Sequence, residues 1–203
     1  MLTKVKYLNR FFLNYKNIII KALYYEIIYS IRYLEFGSHL KISKNSIATD
    51  TIPCIYYFLH KIAKFIKKNK INNVIELGSG FGRVTNFLAD NTKAKITGFE
   101  LDKQFFNESI KLKRKRVKLF NKNILKLNFS KNLSKCYIMI DPLKKAKDTV
   151  KLQEKIISAN KLKKNKIYII TVNIHKKLIS RKLKIIKSIT TGNKGLINFL
   201  ITL

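Results

Sequence analysis

The chain has 203 residues, with 43 lysines and arginines against 11 aspartates and glutamates, and a formal net charge of +32 at pH 7. This length can bury a full core and suits one domain with a modest extension. Only six of the basic residues are arginines, so much of the charge reflects a lysine-rich composition and is weak evidence for nucleic-acid binding.

The cysteine and histidine positions argue against a metal site or a disulfide. Cys54 and Cys136 lie in apolar surroundings without metal-ligand spacing, and the three histidines also lack such spacing. We therefore expect two reduced, buried thiols, no metal and a cytoplasmic location. The N-terminal apolar run is interrupted by Lys21, Glu26 and Arg32, so we expect neither a signal peptide nor a membrane-spanning helix.

The chain is predicted to begin with a helical extension over residues 1–49, followed by a domain over residues 50–203. Apolar residues recur at helical spacing in the extension and predict a face that needs a partner. The favoured interpretation is a helix that packs on the domain as a lid or cap. The alternative is a helix on an anionic membrane surface, where it is peripheral to the bilayer. The residues of this face are Ile20, Leu23, Ile27, Ile31 and Leu34.

A glycine-rich turn follows the first predicted strand. A helix that begins near Pro53 leads into the apolar run 74–77, which suits a buried parallel strand. Glycines then alternate at positions 78, 80 and 82, and a helical pattern begins at Val84. Alternate glycines let the backbone turn sharply and approach a ligand, to which the helix N-terminus offers free amides. A dinucleotide-binding turn would instead carry its third glycine at the place of Arg83.

Glu76 stands two residues before the first glycine, and the segment from Glu76 to Gly82 resembles the E-x-G-x-G-x-G cofactor motif of class I S-adenosylmethionine-dependent methyltransferases. The resemblance implies S-adenosylmethionine as cofactor. A carboxylate at the strand end suits a ligand with an ammonium and a sulfonium group. The alternative is a tight turn that binds no ligand. The cofactor-binding residues implied in this segment are Glu76, Gly78, Ser79, Gly80 and Gly82.

Arg83 would lie in the first turn of the helix after the glycines, where a positive charge opposes the helix dipole. Two interpretations are open. Arg83 either pairs with the carboxylate of the cofactor or forms a structural ion pair with a nearby acid such as Glu76 or Asp102.

Six further apolar runs predict strands, and helices fit between most of the strands. This alternation predicts right-handed crossovers and a mostly parallel sheet, and the last two runs predict a hairpin. The expected fold is α/β: a three-layer, Rossmann-like methyltransferase fold with a mostly parallel seven-stranded sheet, a C-terminal antiparallel hairpin and the N-terminal helical extension. The six runs are 96–99, 117–120, 137–140, 167–172, 185–189 and 196–201.

Two polar residues follow the second and third strands at positions to which the resemblance gives roles. Glu100 stands where the family carries an acid that binds both ribose hydroxyls, while Asp102 is the better candidate for a helix-terminal charge. Asn123 stands where the family often places Asp or Asn near the adenine amine. A solvated turn asparagine is the alternative for Asn123.

Asp141-Pro142-Leu143 follows the fourth strand and resembles the Asp/Asn-Pro-Pro-aromatic signature of amino-group methyltransferases. The resemblance implies that Asp141 is catalytic and that the target atom is nitrogen. It is partial, because Leu143 and Lys144 replace the second proline and the aromatic residue. The alternative for Asp141 is a helix N-cap.

The methyl acceptor is not fixed by the sequence. We expect protein lysine slightly ahead of RNA, with a non-catalytic protein that binds nucleic acid or an anionic membrane through the same fold as the alternative. Lysines that follow the fourth and fifth strands could attract an acidic or phosphate-bearing substrate. They are Lys144, Lys145, Lys147, Lys176 and Lys177.

Overall fold

The computed structural model describes residues 12–13, 15–33, 47, 53–161, 166–192 and 195–202. Within these ranges the helices are α1 (Ile19–Tyr33), α2 (Tyr56–Lys68), α3 (Arg83–Asn91), α4 (Lys103–Lys111) and α5 (Ala146–Lys161). The strands are β1 (Asn73–Leu77), β2 (Lys95–Glu100), β3 (Val117–Asn121), β4 (Cys136–Ile140), β5 (Tyr168–Val172), β6 (Leu183–Thr190) and β7 (Leu196–Thr202).

The strands form one seven-stranded sheet in the order β3-β2-β1-β4-β5-β7-β6. The neighbours from β3 to β5 are parallel, and β7 runs antiparallel to both β5 and β6. The prediction of a mostly parallel sheet that ends in an antiparallel hairpin is confirmed, and each predicted strand lies within two residues of its observed bounds. The domain boundary at residue 50 stays a prediction.

Both faces of the sheet are covered. Along β4, Ile138 points into a core formed with α2 and α3, while Tyr137 and Met139 point into a core formed with α5. All three side chains are fully buried. A parallel strand buried on both faces has a continuous apolar sequence, which is why these runs were recognisable as strands.

Short 3₁₀ turns replace α-helices in two connections. The β3–β4 connection contains Ile124–Lys126 and Phe129–Lys131, and the β5–β6 connection contains Lys176–Leu178. Asparagine side chains accept hydrogen bonds from backbone amides at the start of both turns between β3 and β4. Such local caps stabilise a turn in place of a continuing helix.

Helix α1 packs on the domain, as predicted, but through the face opposite to the predicted one. Ile20, Ile27 and Ile31 are 81%, 59% and 57% exposed, and Leu34 lies outside the described residues. The face that packs carries Tyr25, Tyr29 and Tyr33, and we call it the tyrosine face. Its aromatic rings bury a large apolar area, and the only acid of the helix, on the same side, pairs with α3.

The tyrosine face of α1 stacks on α2 and α3. The ring centroid of Tyr29 lies 5.1 Å from that of Tyr56 and 5.0 Å from that of Phe87. Asn91, at the end of α3, donates to the hydroxyl of Tyr33 at 3.2 Å. Helix α1 therefore lies along α3, and its role as a lid stays a prediction.

Two further expectations concern cysteines and membrane spans. Cys54 and Cys136 are free and buried, as predicted. Across the part of the chain that the structure describes, no helix combines the length and hydropathy needed to cross a bilayer.

Candidate functional site

The strand order places the predicted site residues at one edge of the sheet. Strands β3, β2, β1 and β4 are neighbours, and their carboxyl ends lie side by side. In the register, Leu77 is opposite Phe99 and Met139, and Glu100 is opposite Asn121. Ligands bind at this edge in open α/β sheets.

The turn between β1 and α3 has a backbone that favours glycine. Gly78, Gly80 and Gly82 have φ values of +86°, +51° and +84°, a region that other residues rarely adopt. A Cβ atom added to Gly78 would lie 2.8 Å from Cβ of Pro142. The turn after β1 therefore packs directly against the turn after β4.

Glu76 is 1% exposed at the end of β1. Its carboxylate accepts a hydrogen bond from the amide of Thr85 in the first turn of α3, where Gly82 has no side chain to cap the helix. The other oxygen, Oε2, is buried without a hydrogen-bond partner, as is Oγ of Ser79. Burial, followed by the nearby charge of Glu100, holds the pKa of Glu76 well above its ordinary value.

Oε2 of Glu76 and Oγ of Ser79, which are buried without hydrogen-bond partners, suit the implied cofactor. An unsatisfied buried carboxylate oxygen is costly, and an ammonium or hydroxyl donor from a ligand would offset that cost. The Ser79 hydroxyl can donate as well as accept. Together with the glycine backbone of the turn, Glu76 and Ser79 form a cradle for a small ligand that carries hydrogen-bond donors.

Glu100 is 5% exposed and contacts the glycine turn. Its Oε2 accepts from the Gly80 amide at 2.7 Å, and its Oε1 accepts from the Asp102 amide at 2.8 Å. Burial raises the pKa of Glu100, although these hydrogen bonds oppose the shift. Each carboxylate oxygen keeps a lone pair for a further donor such as a ribose hydroxyl. Asp102, as expected, caps a helix, because its side chain accepts from amides at the start of α4.

Asn123 follows β3 but is committed to a local turn. Its side chain accepts from the Leu125 amide at 2.9 Å, which matches the alternative of a turn asparagine. Asn121, which was not among the predicted site residues, holds the backbone at the end of β2: its Nδ2 donates to the carbonyls of Glu100 and Leu101 at 2.9 and 3.0 Å. The sequence does not show this contact, because Asn121 can be matched with Glu100 only when the pairing of β2 and β3 is known.

Asp141 lies in the turn after β4 and has a positive φ of 39°. The residue is exposed, yet the surrounding chain removes part of its hydration and raises its pKa. Helix α5 begins only at Ala146, so Asp141 does not cap it and the N-cap alternative is wrong. Leu143 is 4% exposed, and it therefore packs in the core instead of presenting a side chain to a substrate.

Arg83 forms a structural ion pair, but with neither of the acids considered from the sequence. Its Nη2 lies 2.6 Å from Oε2 of Glu26 in α1, and its guanidinium carbon lies 3.8 Å from the ring centroid of Tyr56. Little in the sequence indicates that Arg83 pairs with Glu26. Glu26 is a single acid in a basic helix, separated from Arg83 by more than fifty residues.

The sequence also predicted lysines at this edge of the sheet and no metal site. The five lysines that follow β4 and β5 are all exposed. Among the described residues, no group of three or more histidine, cysteine or acidic residues could hold a metal ion.

The strand order, the glycine turn after β1 and the acids at the ends of β1 and β2 together define a class I S-adenosylmethionine-dependent methyltransferase. A model of the family described as ribosomal RNA adenine dimethylase matches residues 57–195, more than half of the chain. The chain therefore belongs to this family. It is a methyltransferase, and S-adenosylmethionine is its cofactor. A search of curated proteins finds no match.

Solved structures share the fold at low sequence identity. An RNA methyltransferase from Salinibacter ruber in complex with S-adenosyl-L-homocysteine has a TM-score of 0.59 and 11% identity, over 74% of this chain and 94% of that chain. Magnesium protoporphyrin IX methyltransferase from Synechocystis, with bound cofactor, has a TM-score of 0.56 and 10% identity, over 72% and 79%. The N-methyltransferase NodS from Bradyrhizobium japonicum has a TM-score of 0.55 and 8% identity, over 72% and 95%.

Proposed function

We propose that the chain transfers a methyl group to a base nitrogen of RNA, with the exocyclic amine of adenine as the first candidate. The observation that carries this proposal is the match of residues 57–195 to the ribosomal RNA adenine dimethylase family. From the sequence alone, protein lysine stood slightly ahead of RNA. The family match supports RNA ahead of protein lysine, because the description of the family names an RNA base.

We assign cofactor binding to the cradle at the ends of β1 and β2. Oε2 of Glu76 and Oγ of Ser79 are buried polar atoms without hydrogen-bond partners, and they would take the donors of the cofactor. Glu100 would accept from the ribose hydroxyls through its remaining lone pairs. Asn123 is assigned to the adenine of the cofactor, although its side-chain oxygen also accepts from the Leu125 amide. When bound, S-adenosylmethionine supplies an electrophilic methyl group.

We assign Asp141 to the methyl acceptor. It is exposed at the edge where β4 ends, and the packing of Pro142 against Gly78 fixes its turn beside the cofactor cradle. A carboxylate that accepts a hydrogen bond from an exocyclic amine orients the nitrogen lone pair and stabilises positive charge that develops on the nitrogen. A paired base cannot reach such a turn, so the target base must leave its stack.

Exposed lysines offer phosphate contacts at the same edge. Lys144 and Lys145 follow β4, and Lys176 and Lys177 follow β5. Phosphate contacts by lysine hold an RNA backbone without reading its sequence. RNA binding should therefore weaken with added salt, and it should weaken further when these lysines are replaced.

The test is methyl transfer from tritiated S-adenosylmethionine to total RNA and, separately, to RNA-free protein extract. We expect label that ribonuclease removes and protease does not, and nucleoside analysis should place it on N6-methylated adenosine. Asp141→Ala should incorporate little label, whereas Asp148→Ala, on α5, serves as the matched control. Label that only protease removes would overturn the proposal in favour of a protein acceptor.

A further inference from the structure

Helix α1 presents a continuous apolar stripe to solvent. The stripe consists of six large side chains at spacings of three and four residues, so they share one helix face. We call them the α1 stripe. They are Ile20 (81% exposed), Leu23 (38%), Tyr24 (59%), Ile27 (59%), Ile28 (41%) and Ile31 (57%).

Within the described part of the chain, the packing of α1 on the domain does not use the α1 stripe. Helix α1 is held to α2 and α3 by its other face, where Ala22 is fully buried and Tyr29 and Tyr33 stack on Tyr56. A surface helix that is held on one side normally carries polar residues on the other side. A contiguous exposed apolar face of this kind marks an interaction surface.

Among the described residues, the exposed charges beside the α1 stripe are basic. Lys16, Lys21 and Arg32 are exposed on this segment. Glu26, the acid of α1, is directed inward and pairs with Arg83. On α2, Lys61 places Nζ 4.9 Å from the ring of Tyr57, which in turn contacts Tyr25 of α1. The apolar face is therefore bordered by positive charge.

We propose that the α1 stripe binds an anionic phospholipid surface, with α1 lying in the plane of the interface. An apolar face bordered by lysine and arginine is the pattern of helices that lie on membranes. Anionic headgroups complement the basic border. Over the described residues α1 is 15 residues long, shorter than the about 20 residues of a membrane-spanning helix.

Charge and side-chain chemistry favour this occupant over two others. A second copy of the chain would bring another net charge of +32 to the interface, and this repulsion opposes self-association. RNA binds through phosphates and through bases that stack on planar groups. The α1 stripe is mostly branched aliphatic side chains, which offer neither kind of contact.

Vesicle binding by the full chain tests the proposal. Because a protein of this charge adheres to anionic vesicles through charge alone, the decisive comparison is between two double variants at high salt. Ile27→Ser/Ile31→Ser should lower partitioning onto phosphatidylglycerol-containing vesicles about tenfold or more. The matched control, Ile110→Ser/Ile186→Ser, replaces isoleucines that are 41% and 45% exposed elsewhere, and it should leave partitioning unchanged. Equal loss in both variants would overturn the proposal.

A fluorescence measurement locates the contact. The chain contains no tryptophan, so Ile27→Trp introduces a single reporter into the α1 stripe and Ile110→Trp introduces one into α4. We expect a blue shift and quenching by brominated lipid for Ile27→Trp with anionic vesicles, and neither change with phosphatidylcholine alone or for Ile110→Trp. Equal shifts on neutral vesicles would contradict the anionic preference. Sedimentation analysis tests for self-association. If the wild type is a dimer and Ile27→Ser/Ile31→Ser is a monomer, the α1 stripe would be the contact with a second copy of the chain.

Discussion

Glu26 of α1 and Arg83, the first residue of α3, form a largely buried ion pair with 2.6 Å between Oε2 and Nη2. The second oxygen of Glu26 accepts from the amide of Tyr56, the first residue of α2, also at 2.6 Å. Ile55 provides no side-chain cap for α2, so Glu26 supplies one from another helix. A single carboxylate thus joins three helices at the start of the cofactor-loop helix.

We expect Glu26→Gln to destabilise the fold by about 3 kcal/mol, because removal of one partner from a buried pair leaves the other charge desolvated. The side chains of Arg83 and Glu26 are only 10% and 20% exposed, so solvent compensates little. Urea denaturation measures the loss, and cofactor binding at low temperature shows whether the loop is still formed.

The matched control for this pair lies on the surface. Glu108 and Lys111 are paired at 3.1 Å but are 44% and 68% exposed, and exposed pairs contribute little. Glu108→Gln should therefore change the free energy of unfolding by less than about 0.5 kcal/mol. If Glu26→Gln and Glu108→Gln change the free energy of unfolding equally, the ion pair between Glu26 and Arg83 does not stabilise the fold more than an exposed pair does.

We expect the buried carboxylate of Glu76 to destabilise the ligand-free fold and to strengthen cofactor binding. Its pKa is raised above the ordinary value of 4.5, so the folded state holds the proton more tightly than the unfolded state does. Its contribution to stability is therefore greatest at acid pH and is lost as the pH rises from about 4.5 through the raised pKa. Glu76→Gln removes this titration and should make the apo protein more stable than the wild type at pH 8.

The same substitution should weaken the binding of S-adenosylhomocysteine about tenfold or more, because it removes a charged acceptor from the cradle. Calorimetry of the ligand-free protein and of ligand binding measures both effects. Glu154→Gln, on α5, is the control and should alter neither. A variant that binds S-adenosylhomocysteine with the affinity of the wild type would remove Glu76 from the cofactor site.

Gly78→Ala should abolish cofactor binding by displacing the turn. The added Cβ would lie 2.8 Å from Cβ of Pro142, and a left-handed backbone conformation costs a non-glycine residue about 1–2 kcal/mol. In the double variant Gly78→Ala/Pro142→Gly the close contact is gone but the backbone strain remains. We expect partial recovery of S-adenosylhomocysteine affinity in the double variant, and no recovery would show that the contact with Pro142 is not the cause.

The sheet was predictable because its signal is local. Strand 137–140 is a continuous apolar run, and 74–77 is apolar apart from Glu76, as a strand buried on both faces requires. The glycine turn was equally visible, since three positive φ values demand glycine at fixed spacing. Each of these features is encoded within a few residues.

The orientation of α1 and the partner of Arg83 were not predictable, since both depend on distant contacts. Ile20, Ile27, Ile28 and Ile31 lie on the face of α1 opposite to Tyr25, Tyr29 and Tyr33, and hydropathy alone favours burial of the isoleucine face. Tyrosine rings bury a large area while their hydroxyls reach polar partners, as Tyr33 does with Asn91. Glu26, on the packed face, also pairs with Arg83, and no local sequence pattern shows that these two residues are close.

Asp141 is expected to govern turnover without affecting cofactor affinity. Partial loss of hydration raises its pKa above the ordinary value of 3.8. A protonated carboxyl group is a poorer acceptor for the amine of the substrate, so methyl transfer should fall as the pH drops through that raised pKa. Asp141→Asn should lower kcat on RNA about a hundredfold and remove this acid limb of the pH profile.

The binding of S-adenosylhomocysteine separates this role from a structural one. We expect Asp141→Asn to bind it with an affinity within about twofold of the wild type, since the cradle at the ends of β1 and β2 remains intact. Asp148→Asn, in the first turn of α5, should leave both kcat and the pH profile unchanged. An acid limb that persists in Asp141→Asn would assign the titration to another group and would exclude Asp141 as the residue that orients the acceptor nitrogen.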